Sequence, residues 1–287
     1  MNILKNISFF FSKRKALKIT LLLTFILVSV FWVLPYFLMI NTSFKTEKDL
    51  QINGLFLLPQ KYITKNYDRA IKVLHFSESF FVSVLISVVS NISIIFFSSL
   101  TAWQLARSKT LISKIIFYLF LITMIVPFQA IMLPLMRVMK VMNMQNIFGL
   151  MFMYTGFGVS ISIFMMHGFL SNIPLSLEEV AKVEGYNPLK VYFLIILPLL
   201  KPIITTILIL NTLWIWNDFL LPLLVYQNNI SQPTTVTVRL YTGLFGSEDN
   251  DTLGMAAGLT LLIIPIIIFF IIMQKNIISG ITNGSIK

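Results

Sequence analysis

The chain has no cysteine, which removes disulfides, thiolate metal sites and thiol catalysis together and leaves its redox compartment unreadable. Charge is also scarce: charged residues make up 11% of 287, against about a quarter in soluble domains. The only two histidines, His75 and His167, lie on different segments and support no shared metal site. No Gly-x-x-x-x-Gly-Lys-Ser/Thr loop is present to cradle phosphates, so any nucleotide must be hydrolysed by another protein. Neither clustered carboxylates nor a His/Ser pair offers an enzyme's machinery, and the chain reads as a non-enzyme without catalytic residues, metal or cofactor of its own.

What fills the chain is apolar. Hydrophobic residues reach 57%, and five uncharged runs are long enough to cross a bilayer core: Ile19–Phe44, Ser79–Ala106, Ile115–Met136, Val141–Leu177 and Thr252–Gln274. A sixth, Pro202–Tyr226, carries Asp218 as its only charge. One crossing takes about 20 apolar residues, so the reading is an all-α membrane protein of six transmembrane helices. Runs of this length exclude a β-barrel, whose strands are about half as long. Ile19–Phe44 is also too long for a signal-peptide core and is read as a retained first helix.

The net charge of +11 does not mean nucleic acid, because the charges sort by loop. With a cytoplasmic N-terminus, the inner segments hold 13 basic residues, among them Lys5, Lys13, Arg14, Lys15, Arg107, Lys182 and Lys275, against only Glu178, Glu179 and Glu184. The other side holds nine basic and eight acidic residues. That asymmetry follows the positive-inside bias and puts both termini in the cytoplasm, although Lys45 and Lys48 fall on the wrong side, just beyond helix 1. The expected layout is a cytoplasmic segment 1–18, a transmembrane domain 19–278 with a polar loop 171–201, and a cytoplasmic tail 279–287.

That loop is the one polar island between membrane-grade runs, and a lipid-buried segment cannot hold its three carboxylates. It reads as two short helices set at an angle. Ser176 with Glu179 predicts a capping box, Gly185 a left-handed C-cap, and Asn187-Pro188 a second N-cap with proline at the first helical position. Pro198 and Pro202 mark the entry to helix 5. Pro127 and Pro134 are expected to break or end helix 3, and such breaks survive at membrane depth where protein or water re-satisfies the backbone.

Glu179-Val180-Ala181, Gly185, Ile195 and Leu197-Pro198 resemble the EAA loop of ABC-importer permeases. The chain departs from that pattern mildly, at Val180, Glu184 and Tyr186. Further likenesses narrow the group to the smaller six-helix subunit of maltose-type sugar permeases. They are Asn41-Thr42-Ser43-Phe44-Lys45, Asn66-Tyr67, Leu105-Ala106-Arg107, Pro127 and Gln129, Trp214-Ile215-Trp216-Asn217-Asp218-Phe219, and the tail from Gln274 to Lys287. The resemblance implies a type I permease bundle in the bacterial cytoplasmic membrane whose EAA coupling helix sits in a cleft of a cytoplasmic ATPase. Glu179, Val180, Ala181, Gly185, Leu197 and Pro198 would form that coupling element. It also implies a second permease subunit, ATP and magnesium on the ATPase dimer, and an external binding protein delivering a carbohydrate.

For the translocation pathway, Asn211, Trp214, Trp216 and Asn217 are the candidates, since amides and aromatic rings suit sugar hydroxyls and ring faces and transporters bind near the midplane. Trp214 and Trp216 read equally as interface-belt residues, and Asp218, the only acid within a membrane run, at least as readily as a structural acid near an interface as a substrate ligand. The methionines at 136, 139, 142 and 144 read as gap-filling bulk ahead of soft-metal ligands. A polyol or glycerol-phosphate ester is the alternative cargo, although a phosphate calls for Arg or Lys and helices 5 and 6 offer none. An ion-coupled secondary transporter is the rival mechanism, with Asp218 and His167 as its only intramembrane titratable groups.

Overall fold

The computed structural model describes residues 2–226, 233–245 and 251–285, with side chains between 17 and 274 in those ranges. Residues 227–232 and 246–250 of the loop that follows the Pro202–Tyr226 run, the basic side chains before Lys18 and the tail side chains from Lys275 onward lie outside the described residues. Among those described, all regular structure is helical. Four helices are long and apolar enough to span a membrane: the Leu17–Ser43 part of α1 (Asn2–Ser43), then α4 (Phe76–Arg107), α7 (Ile147–Leu170) and the Thr252–Gln274 part of α14 (Thr252–Ser285). Between α1 and α4 lie the short α2 (Glu47–Asn53) and α3 (Lys65–Val73), and the short α13 (Val236–Leu240) precedes α14. Two bent pairs bring the spans to six if each pair is one crossing.

The first bent pair is α5 (Leu111–Ile125) and α6 (Phe128–Val141), which meet at 104°. Pro127 causes the break, as expected: it lacks an N–H and sits in extended backbone ahead of α6. Pro134, by contrast, lies inside α6 without ending it. The second pair joins Pro188–Leu199 to α11 (Lys201–Asn217) at 71°. The expected single helix Pro202–Tyr226 is therefore corrected, because α11 stops at Asp218 and α12 (Leu220–Tyr226) restarts beyond it. The fourth run is shorter than its apolar length. Asn146 caps α7, its side chain accepting from Gly149 N at 3.0 Å, so the helix starts at Ile147 and ends at Leu170.

The chain forms two compact units, residues 71–247 with 262–287 and residues 1–70 with 248–261. In the larger, α4 and α7 pack along their length, close enough that a Cβ on Gly158 would run into Ile94. Two apolar clusters surround this pair. One joins Val82, Ile86 and Ile94 of α4 to Leu150 and Tyr154 of α7 and to Ile215, and it also takes in Met139 with Met136 and Met144 against it. The methionines thus serve as packing, with Met142 left exposed. The other cluster joins Ala102 and Leu105 to Ile163, Met166 and Leu170.

In the smaller unit, two segments some 20 residues apart close into one hydrogen-bonded knot. Asn66 Nδ2 donates to the carbonyls of Ser43 and Lys45 at 2.9 and 2.8 Å, and Asn41 Nδ2 to those of Leu55 and Leu57 at 2.7 and 2.9 Å. The Ser43 and Tyr67 hydroxyls share a 2.6 Å bond, and Phe44 packs on the Tyr62 and Tyr67 rings. Lys45 is fully buried, its Nζ donating to the Gly54 carbonyl at 2.6 Å. It is a structural group of the knot, which accounts for its misfit with the loop-charge pattern. Arg69 pairs with Asp251 at 2.9 Å, fixing the chain at the start of α14.

Candidate functional site

The polar island folds as an elbow of α8 (Ser176–Val183), α9 (Pro188–Val191), a π-helical turn (Tyr192–Ile196) and α10 (Leu197–Leu199). Gly185, at φ +84°, makes the bend. Gly185 N–H donates to the Lys182 carbonyl and Tyr186 N–H to that of Ala181, both at 3.0 Å, so the end of α8 has both bonds of a Schellman cap. Asn187 then caps α9, its side chain accepting from Lys190 N at 2.8 Å with Pro188 at the first helical position. The expected capping box at Ser176 does not form. Leu175 precedes α8 in helical backbone, and its carbonyl accepts from Glu178 N and Glu179 N at 2.9 and 3.1 Å. A tertiary contact replaces the cap. Glu178, 3% exposed, accepts from Arg107 Nε at 2.7 Å, and Arg107 also donates to the Leu170 and Ile173 carbonyls.

Each face of the elbow has its own chemistry. Ala181, Val191, Tyr192, Ile196 and Leu200 are buried in the second apolar cluster, with Leu197 half-buried against it. Glu179, Glu184, Gly185, Tyr186 and Pro198 are exposed, along with Val180 at 59%, Leu189 at 65% and Val183 at 90%. Of the sequence candidates, Glu179, Val180, Gly185 and Pro198 thus lie on the outer face, while Ala181 and Leu197 anchor the inner one. Sequence reasoning missed Glu178 and the destination of Arg107. An acid next to Glu179 and a basic helix end were visible, but nothing in the sequence paired residues 71 apart.

A cavity of about 520 Å³ lies where both broken helices meet α7. Its wall takes Met124, Phe128 and Gln129 from the α5–α6 break, Asn211 and Trp214 from α11, and Asp218 from the α11–α12 break. Asn211 is buried and donates to Ser162 Oγ at 3.3 Å; the half-exposed Trp214 ring stands edge-on to Tyr154 at 5.4 Å. Trp216 and Asn217 lie outside the wall. Residues 214 and 216 are about 200° apart around a helix, and Trp216 instead packs on Phe80 and donates to the Leu262 carbonyl at 3.4 Å. Asn217 is exposed and bonds back to the Leu213 carbonyl at 2.8 Å. Asp218 accepts from Tyr154 Oη at 2.9 Å and from Leu220 N at 3.1 Å, while its carbonyl accepts from Thr237. Among the described residues the wall carries no Lys or Arg, so a ligand meets one carboxylate, two amides and aromatic faces there. Gln129 had no pathway role in the sequence reading, and the break at Pro127 was the available signal for it; the sequence leaves Asp218 between a structural acid and a substrate ligand.

Residues 93–283 match the family model described as the binding-protein-dependent transport system inner membrane component. The chain is 38% identical over 268 residues to the probable starch degradation products transport system permease protein AmyC of Thermoanaerobacterium thermosulfurigenes, covering 93% of this chain and 96% of the relative. It is 31% identical to the melibiose/raffinose/stachyose import permease protein MelC of Bacillus subtilis, covering 96% and 99%. With the multiple sugar-binding transport system permease protein MsmG of Streptococcus mutans it shares 33% identity over 96% and 100%. A crystal structure of a bacterial ABC transporter involved in the import of the acidic polysaccharide alginate contains a chain of the same fold. The two superpose with a TM-score of 0.71 at 22% identity, over 90% of this chain and 96% of that one.

Proposed function

Since this chain belongs to the family of binding-protein-dependent transport system inner membrane components, a multi-pass membrane protein, we propose that it is one membrane-spanning half of an ATP-driven carbohydrate importer. The observation that carries this reading is the two-faced elbow. Its inner side is sunk in the second apolar cluster, while its outer side offers Glu179 and Glu184 among exposed Val180, Val183 and Leu189. Several apolar side chains rimmed by charge, in water and not in lipid, are the composition of a protein-docking patch. The partner for that patch is a cytoplasmic ATPase dimer holding ATP and magnesium. Both termini and the elbow then lie in the cytoplasm, in line with the loop-charge pattern.

Cargo passes between this subunit and a second, homologous permease after delivery by an external sugar-binding protein. Closure of the ATPase dimer drives the elbow and so alternates access to the cavity. Neutral sugars suit the wall, where Asn211, Gln129 and Asp218 offer hydrogen bonds and Trp214 a ring face. The described wall residues include no cation, which disfavours a phosphate ester, since that calls for Arg or Lys. The carbohydrate-related names of the three relatives support the same class.

The test is charge reversal on the outer face. Glu179→Lys, in the complete transporter reconstituted in vesicles, is expected to insert normally but lose cargo-stimulated ATP hydrolysis and uptake together. Wild-type uptake by that variant, or cargo movement by this chain in vesicles without any ATPase, overturns the reading.

A further inference from the structure

One face of the α4 terminus grips the elbow at two points, Glu178 and Tyr192. Ser99, Trp103 and Arg107 are spaced by four, so they stack on one side of the helix. Ser99 Oγ and Tyr192 Oη are 2.6 Å apart, joining α4 to the π-helical turn. Trp103 lies against the Tyr192 ring at 5.8 Å and donates from Nε1 to Glu178 Oε2 at 3.1 Å. Arg107 takes the other carboxylate oxygen at 2.7 Å, and its remaining nitrogens reach the carbonyls of Leu170 at 3.3 Å and Ile173 at 3.1 Å. Both oxygens of Glu178 are thereby engaged, and one guanidinium ties the end of α7 to the start of α8.

From this geometry we infer that Glu178, Trp103 and Arg107 are positioning residues that lock the elbow to the α4–α7 pair, so that α8 and those two helices move as one body. The inference rests on the docking reading above. Stability alone does not account for the arrangement. A buried ion pair contributes little beyond well-packed apolar residues of similar volume, whereas a carboxylate whose two oxygens are held by two different donors admits one orientation. The contrast with α11 supports it: that helix follows the elbow in sequence across a 71° bend at Leu200, and its side-chain bonds to the same pair, Asn91 to Thr212 and Asn211 to Ser162, are between neutral groups. A push on the outer face thus reaches α4 and α7 through hydrogen bonds, and that pair passes it on to α11 at the cavity wall, where Asn91 donates to Thr212 Oγ1 at 3.2 Å and Asn211 to Ser162 Oγ at 3.3 Å.

Glu178→Gln keeps the size of the side chain and removes its charge, and Trp103→Phe keeps an aromatic, though smaller, ring and removes one donor. In the complete reconstituted transporter, both variants are expected to retain the ATPase on purification and to hydrolyse ATP. Cargo moved per ATP is expected to fall about tenfold for Glu178→Gln, the factor carried by one weakened hydrogen bond to a charged group, and less for Trp103→Phe. The cysteine-free chain allows spin labels at Lys109→Cys and Lys182→Cys, one on each side of the lock. The interlabel distance is expected to be narrow and equal with and without ATP when Glu178 is present, and to broaden in Glu178→Gln. An unchanged transport-to-ATP ratio in both variants, or a distance that shifts with ATP while Glu178 is in place, overturns the lock. Loss of the ATPase from the otherwise wild-type complex would count against the docking reading instead, so the two failures are distinguishable.

Discussion

Tyr154 of α7 donates its hydroxyl to Asp218 at 2.9 Å across the gap where α11 ends and α12 begins. The same carboxylate accepts from Leu220 N, so one acid caps a restarting helix and fastens it to α7. Replacing Asp218 with Ala leaves the Leu220 N–H and the Tyr154 hydroxyl without that acceptor. We expect it to cost about 1–3 kcal/mol, seen as a lower melting temperature of the purified protein. Tyr154→Phe, which keeps the ring under Trp214, should cost less. Equal melting of both variants and the parent would show that the break is held elsewhere.

Gly185 stands at φ +84° with open space where its Cβ would be, so the penalty of a side chain there comes from backbone strain and not from a clash. Gly185→Ala should cost about 1–2 kcal/mol at the bend. Gly185→Asn, which tolerates the left-handed region better, should lie between. If the elbow transmits work, ATP-driven uptake falls in the same order, Gly above Asn above Ala. Uptake insensitive to all three would dissociate the bend from transport.

Asn66 crosslinks the knot in the smaller unit through two backbone carbonyls, and it is buried. Asn66→Ala leaves both carbonyls short of a donor, at about 1–3 kcal/mol. Asn66→Asp turns a carboxylate toward two carbonyl oxygens and should be worse, because a buried charge adds to the lost donors. Limited proteolysis between residues 45 and 65 checks both, with cleavage rising from parent to Ala to Asp.

These cases separate what the sequence carried from what it did not. Apolar run length predicted the helical membrane fold, and Pro127, Gly185 and Asn187-Pro188 predicted real breaks and caps, since each acts through its own backbone. Ser176 failed as a cap because Arg107, 69 positions earlier, already fixes that turn through Glu178 and the Ile173 carbonyl. Asp218 was visible as a lone acid in an apolar run, but its role as a helix break depends on Tyr154 and Leu220. Local chemistry was legible. Partners distant in sequence were not, and the two tryptophans of the Trp-Ile-Trp segment could not be told apart until α4, α7 and α14 surrounded them.

Close approach of α4 and α7 depends on Gly158. A Cβ there meets Ile94 Cδ1 first and Cγ1 at 3.0 Å, and Ile94 is fully buried in the core. Gly158→Ala should therefore destabilise by about 1–3 kcal/mol, the range for overpacking a core. Adding Ile94→Val deletes the atom that clashes most and should recover part of the loss, although that change alone removes a buried methyl and costs about 0.5–1.5 kcal/mol. Melting of the four proteins in the same detergent gives the coupling between the sites. Simple additivity of the two losses would contradict the contact.

The sharpest division concerns the two tryptophans. Trp214 is half-exposed on the cavity wall, beside Asn211 and edge-on to Tyr154, while Trp216 is wedged against Phe80 and bonded to the Leu262 carbonyl. Removal of Trp216 should act on stability, at about 3–5 kcal/mol for loss of a large packed ring. Uptake should fall only in proportion to the folded protein recovered. Trp214→Ala should leave the melting temperature closer to that of the parent but raise the KM for cargo uptake, because base stability does not depend on a half-exposed ring and a passing sugar loses its stacking face. Trp214→Phe keeps an apolar ring and should restore most of the affinity. Uptake by the complete transporter, normalised to folded protein, distinguishes the two effects. A KM unchanged by Trp214→Ala and raised by Trp216→Ala would reverse the assignment of these side chains and move the path of the cargo to the α14 side of α11.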